Sequence, residues 1–477
     1  NIGAYDAIVG ILGRPCRRVL CEPSEIEQAI SRCYYLSPGE EENYFTPDAP
    51  ESSGQTDAPA SSVQDLASSV QTRAEDLLNI ADKAPAIKLV NKILFHAVHS
   101  RASDIHIEPY EQEVKIRFRV DGVLRNILSL PKIQVSPILS RLKIMANLNI
   151  AEHRLPQDGQ SRVSIGDEVV DIRVSVIPTA GGERVVLRLL DKGRGELKLE
   201  EIGFGPDLLK TFRSLIAVSH GIVLITGPTG SGKTTTLYGA LNELNSHERN
   251  ILTVEDPVEY QLPGVGQMQV HAKIDLTFAS CLRHILRQDP DIIMIGEIRD
   301  RETAEIAIQA SLTGHLVLST LHTNDAASAF TRLIDMGIEP YLISSTVVGV
   351  MAQRLVRVIC PSCKQPYAPQ EGAVSWSELE KIAKGLIRLH KGAGCPKCLE
   401  SGYMGRTGIF ELLLVDDAIR DLIVRRQASH LIKEAALTHG MTTLRNDGLR
   451  RALEGVTTLQ EVYRVTQDSV QIGSEGN

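Results

Sequence analysis

Apolar residues in the first half of the chain follow two different periods. Ile87, Val90, Ile93, Leu94, Ala97 and Val98 recur at helical spacing and predict an amphipathic helix ending near Ser100. Val114, Ile116, Phe118 and Val120 then alternate with Lys115, Arg117 and Arg119, the pattern of a half-buried strand, and Asp121-Gly122 supplies a hairpin turn. Further alternation in Ile172, Val174 and Val176, and the run Val185 to Leu190 after Gly181-Gly182, extends an α+β sheet with one basic face to about Asp191. From about Glu201 the pattern changes to short apolar strands at 221–226, 251–255, 291–296 and 315–320 separated by helical segments. That is the signature of a parallel sheet covered on both faces. A cysteine-bearing segment, about 358–402, interrupts this second domain, and the remainder to about Gln467 reads as mostly helical. The longest apolar stretch, Leu342 to Val358, is broken by Ser344, Ser345, Gln353, Arg354 and Arg357, so no membrane span is predicted.

Length bounds the organisation. A chain of 477 residues exceeds what one core usually organises. Residues 46–72 are rich in Ser, Ala, Pro and Gln and read as a linker. Before it, residues 1–45 hold one helix-like segment, Ser24 to Cys33, and read as the remnant of a larger N-terminal domain. The α+β domain then occupies 73–200 and the parallel-sheet domain 201–477. With 43% hydrophobic and 23% charged residues the composition is that of a globular protein, and a net charge of −8 argues against a surface tuned globally to grip nucleic acid. Four of the eight cysteines (Cys16, Cys21, Cys33 and Cys281) are scattered, as in a reducing compartment.

The chemistry centres on Gly227-Pro-Thr-Gly-Ser-Gly-Lys-Thr234, set between the apolar run 221–226 and a helix-compatible stretch. It is a phosphate-binding loop in its expected strand-loop-helix setting. Gly227, Gly230 and Gly232 let the N–H groups of this loop, with Pro228, Thr229 and Ser231, close around phosphate oxygens. Lys233 reaches the β- and γ-phosphates, and Thr234, followed by Thr235, offers a hydroxyl to Mg²⁺. The strand Asp291 to Glu297 ends in a carboxylate, with Gly296 where a Walker B strand commonly has Asp. A second strand ends in Glu255 and Asp256, which the carboxyl edge of a parallel sheet would place beside the phosphates. Metal binding and water orientation are both open to these acids. His322 follows the third strand on the phosphate side and is expected to sense or relay the γ-phosphate; His315, at its start, is as suited to packing.

Two further groups stand out. Cys360-Pro-Ser-Cys363 and Cys395-Pro-Lys-Cys398 form two C-x-x-C pairs, which suit a closed, structural tetrahedral Zn²⁺ better than redox exchange, although residues 364–394 make a longer gap than a usual zinc ribbon. Arginines 101, 117, 119, 173, 184 and 188 lie on the predicted strands, and Arg188 interrupts the run Val185 to Leu190. An arginine there should have a phosphate or carboxylate partner to offset desolvation. If the partner is the nucleotide of a neighbouring subunit, Arg188 is an arginine finger and the assembly is a ring.

Together these features resemble the secretion ATPase superfamily, and within it the type II secretion assembly ATPases, the general secretion pathway E proteins. The resemblance runs from about residue 75 to the C-terminus and rests on ADKAPAIKLVN, RASDIHIEP, IRFRVDGVLR, GPTGSGKTTTLYGAL, ERNILTVEDPVEY, LRQDPDIIMIGEIRD and SLTGHLVLSTLHTN, with the paired cysteines. It implies an α/β fold: a RecA-like P-loop motor preceded by an α+β, PAS-like domain and carrying a small tetracysteine zinc insertion. It implies ATP, Mg²⁺ and structural Zn²⁺. Glu255 and Asp256 would form an acidic box with Glu255 orienting water, Glu297 would be the Walker B acid, and His315 and His322 would belong to a histidine box. Arg173 and Arg188 match positions that approach the nucleotide. The expected protein is a cytoplasmic homohexamer, peripheral at the inner membrane, docked through its N-terminal region on the cytoplasmic segment of a platform protein. It would drive pseudopilus assembly for export, without nucleic acid. The competing expectations are a type IV pilus extension motor and, less favoured, a nucleic-acid translocase of the P-loop class; retraction motors lack the cysteine insertion.

Overall fold

The computed structural model describes residues 75–76, 85–165, 168–191, 198–368, 379–380, 382–383 and 387–466. The predicted helix at Ser24 to Cys33, the linker 46–72 and Cys16, Cys21 and Cys33 lie outside the described residues. The chain divides into two compact units, before and after Gly193.

Among the described residues, the first unit is a seven-stranded sheet with two helices on one face. Its strands are β1 (Glu75–Asp76), β2 (Ala102–Pro109), β3 (Glu113–Val120), β4 (Val123–Pro131), β5 (Gln157–Ile165), β6 (Glu168–Thr179) and β7 (Gly182–Asp191), ordered β1-β5-β6-β7-β2-β3-β4. All neighbours are antiparallel except β1 and β5. Helix α1 (Pro85–His99) buries Leu89, Val90, Ile93, Leu94 and Ala97, and α2 (Val135–Met145) buries Ile138 and Leu142, against inward residues such as Ile105, Ile116, Phe118, Val174 and Leu187. The period-3.6 and period-2 patterns thus meet in one core. The outer face carries the arginines, but β2 adds a stripe of acids to it. Glu108 pairs with Arg117 and with Arg184 (2.6 Å), and Asp104 pairs with Arg188 (3.0 Å). The desolvation expected for Arg188 is absent, since its side chain is 63% exposed. The run reads as continuous because Val186 and Leu190, on the same outward face, are apolar too.

The second unit is a parallel sheet covered on both sides. Strands β8 (Gly221–Thr226), β9 (Ile251–Glu255), β10 (Gly266–Gln269), β11 (Ile292–Ile295), β12 (Leu316–Leu321), β13 (Val347–Ile359) and β16 (Tyr403–Leu414) lie in the order β10-β9-β11-β12-β8-β13-β16, and only β16 is antiparallel. Ile222 and Leu224 face one core while Val223 and Ile225 face the other, which is why β8 reads as uninterrupted apolar residues. Helices α3 (Pro206–Ile216) and α4 (Lys233–Leu244) cover one side. On the other lie α5 (Phe278–Ile285), α6 (Arg301–Leu312), α7 (Ser328–Asp335), α8 (Pro340–Thr346), α9 (Asp417–Val424) and α10 (Ser429–Thr438). No helix among the described residues is long and apolar enough to cross a membrane; Leu342 to Val358 splits into the end of α8 and most of β13.

The mostly helical reading after residue 402 needs correction at its start. Tyr403–Leu414 is a strand paired along β13, and helices begin only at Asp417. The segment Ile409 to Leu413, apolar except for a buried Glu411, is short and enclosed on both faces, a case in which periodicity does not separate strand from helix. Between β13 and β16, β14 (Lys364–Tyr367) and β15 (Leu389–Gly392) form a two-stranded ribbon. Helices α11 (Leu444–Leu453) and α12 (Leu459–Thr466) fold back on its base. There Ile359 N–H donates to Val456 O (2.9 Å), and Glu461 receives Arg357 (2.6 Å) and Arg464 (2.7 Å). Burial opposes ionisation of Glu461, but the two guanidinium groups win and pull its carboxyl down to about 2.

Candidate functional site: a phosphate loop, two strand-end acids and four thiols

The phosphate-type loop leaves β8 at Thr226 and enters α4 at Lys233. Its close approach to β13 demands glycine. A Cβ on Gly227 would stand 2.5 Å from Gln353 O, and one on Gly232, where φ is +87°, would stand 2.8 Å from Gln353 Nε2. Gln353 also accepts from Thr236 Oγ1 (2.8 Å), so β13 clamps the first turn of α4. Pro228, Thr229, Gly230 and Thr234 are exposed, and Thr235 is half-buried. Ser231 Oγ is buried with no partner among the described residues, and Lys233 Nζ donates to Gly227 O (2.8 Å) and Pro228 O (3.2 Å) across the loop. Burial lowers the Lys233 ammonium to about 8, with Arg354 adding to the shift and Glu297 opposing it. A hollow of backbone N–H groups with a buried cation and an orphaned hydroxyl fits a phosphate chain, and the exposed Thr234 hydroxyl fits a hard cation beside it.

The two acids stand on neighbouring strands, since β9 pairs with β11. Glu297, just past β11, contacts Arg299 (2.5 Å) and His322 Nε2 (3.1 Å). Partial burial alone would raise its carboxyl, but Arg299 and then His322 hold it below the usual range. Asp256 is exposed. Glu255 is sealed, at 2% exposure. Its Oε1 accepts from Thr253 Oγ1 (2.6 Å) and Gln267 Nε2 (3.1 Å), and its Oε2 from the Tyr238 hydroxyl of α4. His315 points away from this group: its Nδ1 lies 2.7 Å from Ala310 O, at the end of α6. Thr323 N–H donates to Thr226 Oγ1 (2.8 Å), fastening the turn that carries His322 to the end of the loop strand.

The sequence did not single out Tyr238, Gln267, Arg299 or Gln353. Arg299 sits two residues from Glu297 and was open to notice. The others reach the site through strand pairing and helix packing that no local spacing encodes.

The four thiols of Cys360, Cys363, Cys395 and Cys398 converge with their sulfurs within 4.8 Å of one another. All are free, and three of their separations are 3.9, 3.9 and 3.6 Å. A tetrahedral ion with Zn–S bonds of about 2.3 Å sets its ligands about 3.8 Å apart, so the cluster fits Zn²⁺ with no open position. Backbone N–H groups of Cys395 and Gly402 donate to Cys398 Sγ, both at 3.2 Å. Against burial, they help bring that thiol down to about 7. The second Cys-Pro-x-Cys turn, with Gly402 beyond it, therefore stabilises the Cys398 thiolate as well as supplying ligands.

Arg173 and Arg188 belong to the first unit. They are direct cross-strand neighbours on β6 and β7 and line a cavity of ≈ 380 Å³ with Asp158, Gln160, Ser175 and Val186.

Comparison with known proteins converges with this chemistry. Residues 79–464 match the family described as type II/IV secretion system protein. The type II secretion system protein E of Pseudomonas aeruginosa is 56% identical over 395 residues, covering 83% of this chain and 78% of its own. The type II secretion system ATPase E of Vibrio cholerae is 55% identical with the same coverage. Among solved structures, the ATPase DotB of Legionella pneumophila superposes with a TM-score of 0.58 at 21% identity, over 82% of this chain and 98% of its own. The pilus retraction motor PilT with bound ADP gives 0.53 at 26% identity, over 79% and 97%. A phosphate loop on a RecA-type parallel sheet, two strand-end acids and about half of all residues shared with secretion ATPases lead to one assignment: the chain belongs to the type II/IV secretion system protein family, among its type II secretion ATPases.

Proposed function

We propose that this secretion ATPase works as a homohexamer at the cytoplasmic face of the inner membrane. There Mg²⁺-dependent ATP hydrolysis drives pseudopilus assembly for type II protein export, with the N-terminal region docked on the cytoplasmic segment of a platform protein. The observation that supports this most is the joint placement of the Lys233 loop and the Glu297–His322 pair on one sheet edge, in a chain 56% identical to a type II secretion protein E. The loop from Gly227 to Thr235 holds the β- and γ-phosphates, Lys233 exchanges its loop carbonyls for phosphate oxygens, and Thr234 faces the metal. Mg²⁺, which Thr234 and Glu297 would hold, would supply neutralisation of the phosphate charge. Glu297, kept ionised by Arg299, holds the metal side. His322 carries the state of the γ-phosphate to the turn fixed at Thr226. Glu255 orients the attacking water after leaving its cage, with Asp256 beside it. Arg188 and Arg173 reach the nucleotide of a neighbouring subunit, and the four cysteines hold a structural Zn²⁺. No nucleic acid takes part. The pilus-extension reading is less favoured because the relatives at this identity are type II secretion proteins.

ATP turnover measured against protein concentration tests the reading, with Lys233→Ala and Arg188→Ala alongside. Specific activity that climbs with concentration, and two silent variants, are expected. Activity independent of concentration and indifferent to Arg188 would remove the ring.

A further inference from the structure

Arginines on the outer face of the first unit's sheet are held in two ways, through a terminal Nη2 or through Nε, as Arg162 is by Asp171 at 2.6 Å. Arg117 and Arg184 bond Glu108 through their terminal Nη2 atoms, the ends that would otherwise meet an incoming anion. Arg188 is tied through Nε instead, to Asp104 Oδ1 at 3.0 Å, and its two Nη groups bond nothing among the described residues. Asp104 is itself fixed. Its side chain is 9% exposed, Ser103 Oγ donates to its Oδ2 at 2.8 Å, and Arg119 Nε lies 3.7 Å from that same oxygen. Asp104 stands opposite Arg188 in the register of β2 and β7, so the carboxylate is presented from the sheet rather than from a loop. A guanidinium gripped at Nε keeps its terminal fork available for a phosphate in the bidentate manner that suits arginine. Arg188 also lines the ≈ 380 Å³ cavity shared with Arg173, Gln160 and Ser175.

We infer that Asp104, braced by Ser103, is a positioning residue for ATP turnover: it holds the Arg188 guanidinium by Nε so that both terminal nitrogens face the nucleotide. The inference rests on Arg188 reaching the nucleotide, as proposed above. Asp104 touches no substrate and acts only through Arg188. Orienting partners one layer away from a reacting group commonly change activity by roughly 10- to 100-fold, and Asp104 should fall in that range.

The test uses the assembled full chain, with Asp104→Asn, Arg188→Ala and the double variant. Steady-state turnover gives kcat and KM, and single-turnover cleavage of labelled ATP under enzyme excess makes residual rates readable. Asp104→Asn should lower kcat by roughly tenfold or more while KM moves less than about threefold, the signature of an interaction felt in the transition state. In the Arg188→Ala background the same change should cost less than about twofold, because two residues acting as one unit are not additive. If Arg188→Ala is impaired but Asp104→Asn turns over normally, the positioning role is overturned and the motor reading stands. A further tenfold loss in the double variant also overturns it, by assigning Asp104 to the sheet rather than to Arg188. Full activity in Arg188→Ala overturns the reading on which the inference rests.

Discussion

The ends of β9 and β11 make an instructive pair. The strands are hydrogen-bonded side by side, β9 ending in Glu255 and β11 followed two residues on by Glu297, yet Glu297 stands in partly open ground with Arg299 and His322 while Glu255 is sealed by Tyr238, Thr253 and Gln267. Side-chain direction makes the difference. Glu255 turns toward α4, which presents Tyr238 five residues after Lys233. Glu297 emerges beyond β11, near enough to Lys233 to raise its affinity for a proton. Equivalent positions in a sequence pattern thus become one carboxylate ready to meet a cation and one held in reserve.

The contrast can be broken most directly by Glu297→Gln, which should lower turnover by about 10² to 10⁴ while ATP still binds, as loss of a positioned acid does. Turnover within twofold of normal would shift the weight to Glu255. Next in size is Tyr238→Phe. It leaves Glu255 Oε2 buried without its hydroxyl donor and should cost about 1–3 kcal/mol in urea unfolding. An unchanged midpoint would mean that the cage does not hold.

A pH titration sharpens the comparison further. Lys233 in the free protein titrates at about 8, and bound phosphate favours its charged form. ATP affinity should therefore weaken as pH rises above about 8, by at most about tenfold per unit. Removing the Glu297 charge takes away the support that opposes burial, so in Glu297→Gln the fall begins at lower pH. In Glu255→Gln it should stay in place. Fluorescent-nucleotide binding between pH 6 and 9.5 reads all three, and a Glu297→Gln profile superimposed on the parent would refute the coupling. Acid acts in the opposite sense on Glu297 itself. Its carboxyl is held below the usual range, so its contribution to stability is present near neutrality and is lost as pH falls through the lowered value. The smallest effect at either strand end should come from Cys363→Ser. Loss of a Zn²⁺ ligand removes a contribution on the order of 10 kcal/mol from the cysteine module. Proteolysis should then cut between β14 and β15 while ATP affinity stays within about threefold; a collapse of ATP affinity would show that the module supports the loop.

What the sequence made legible was written contiguously. The loop from Gly227 to Thr235 and the two Cys-Pro-x-Cys turns each carry their chemistry within a few residues, so composition and spacing suffice. The sealing of Glu255 depends on a helix, a strand and a turn brought together by packing, and Gln267 has no signature of its own. β16 differs from the helical expectation because a short enclosed segment, 409–413, looks alike in a strand and a buried helix, and its one polar residue, Glu411, is buried against the N–H of Ala326 (3.0 Å) rather than facing water. Arg188 has the carboxylate partner its sequence setting predicts, in Asp104, but not the burial. Apolar neighbours on both faces of β7 hid a clean alternation that places it outside.

The junction of Arg357, Glu461 and Arg464 bears on how far the motor can be cut down. A shortened chain ending after α11 would strand Arg357, whose side chain is only 15% exposed, and would take from Ile359 the backbone acceptor that lies at Val456, just before α12. The C-terminal boundary of a minimal, metal-bearing ATPase fragment therefore belongs no earlier than Thr466, and a tag fused closer than that would be built into the fold instead of hanging from it.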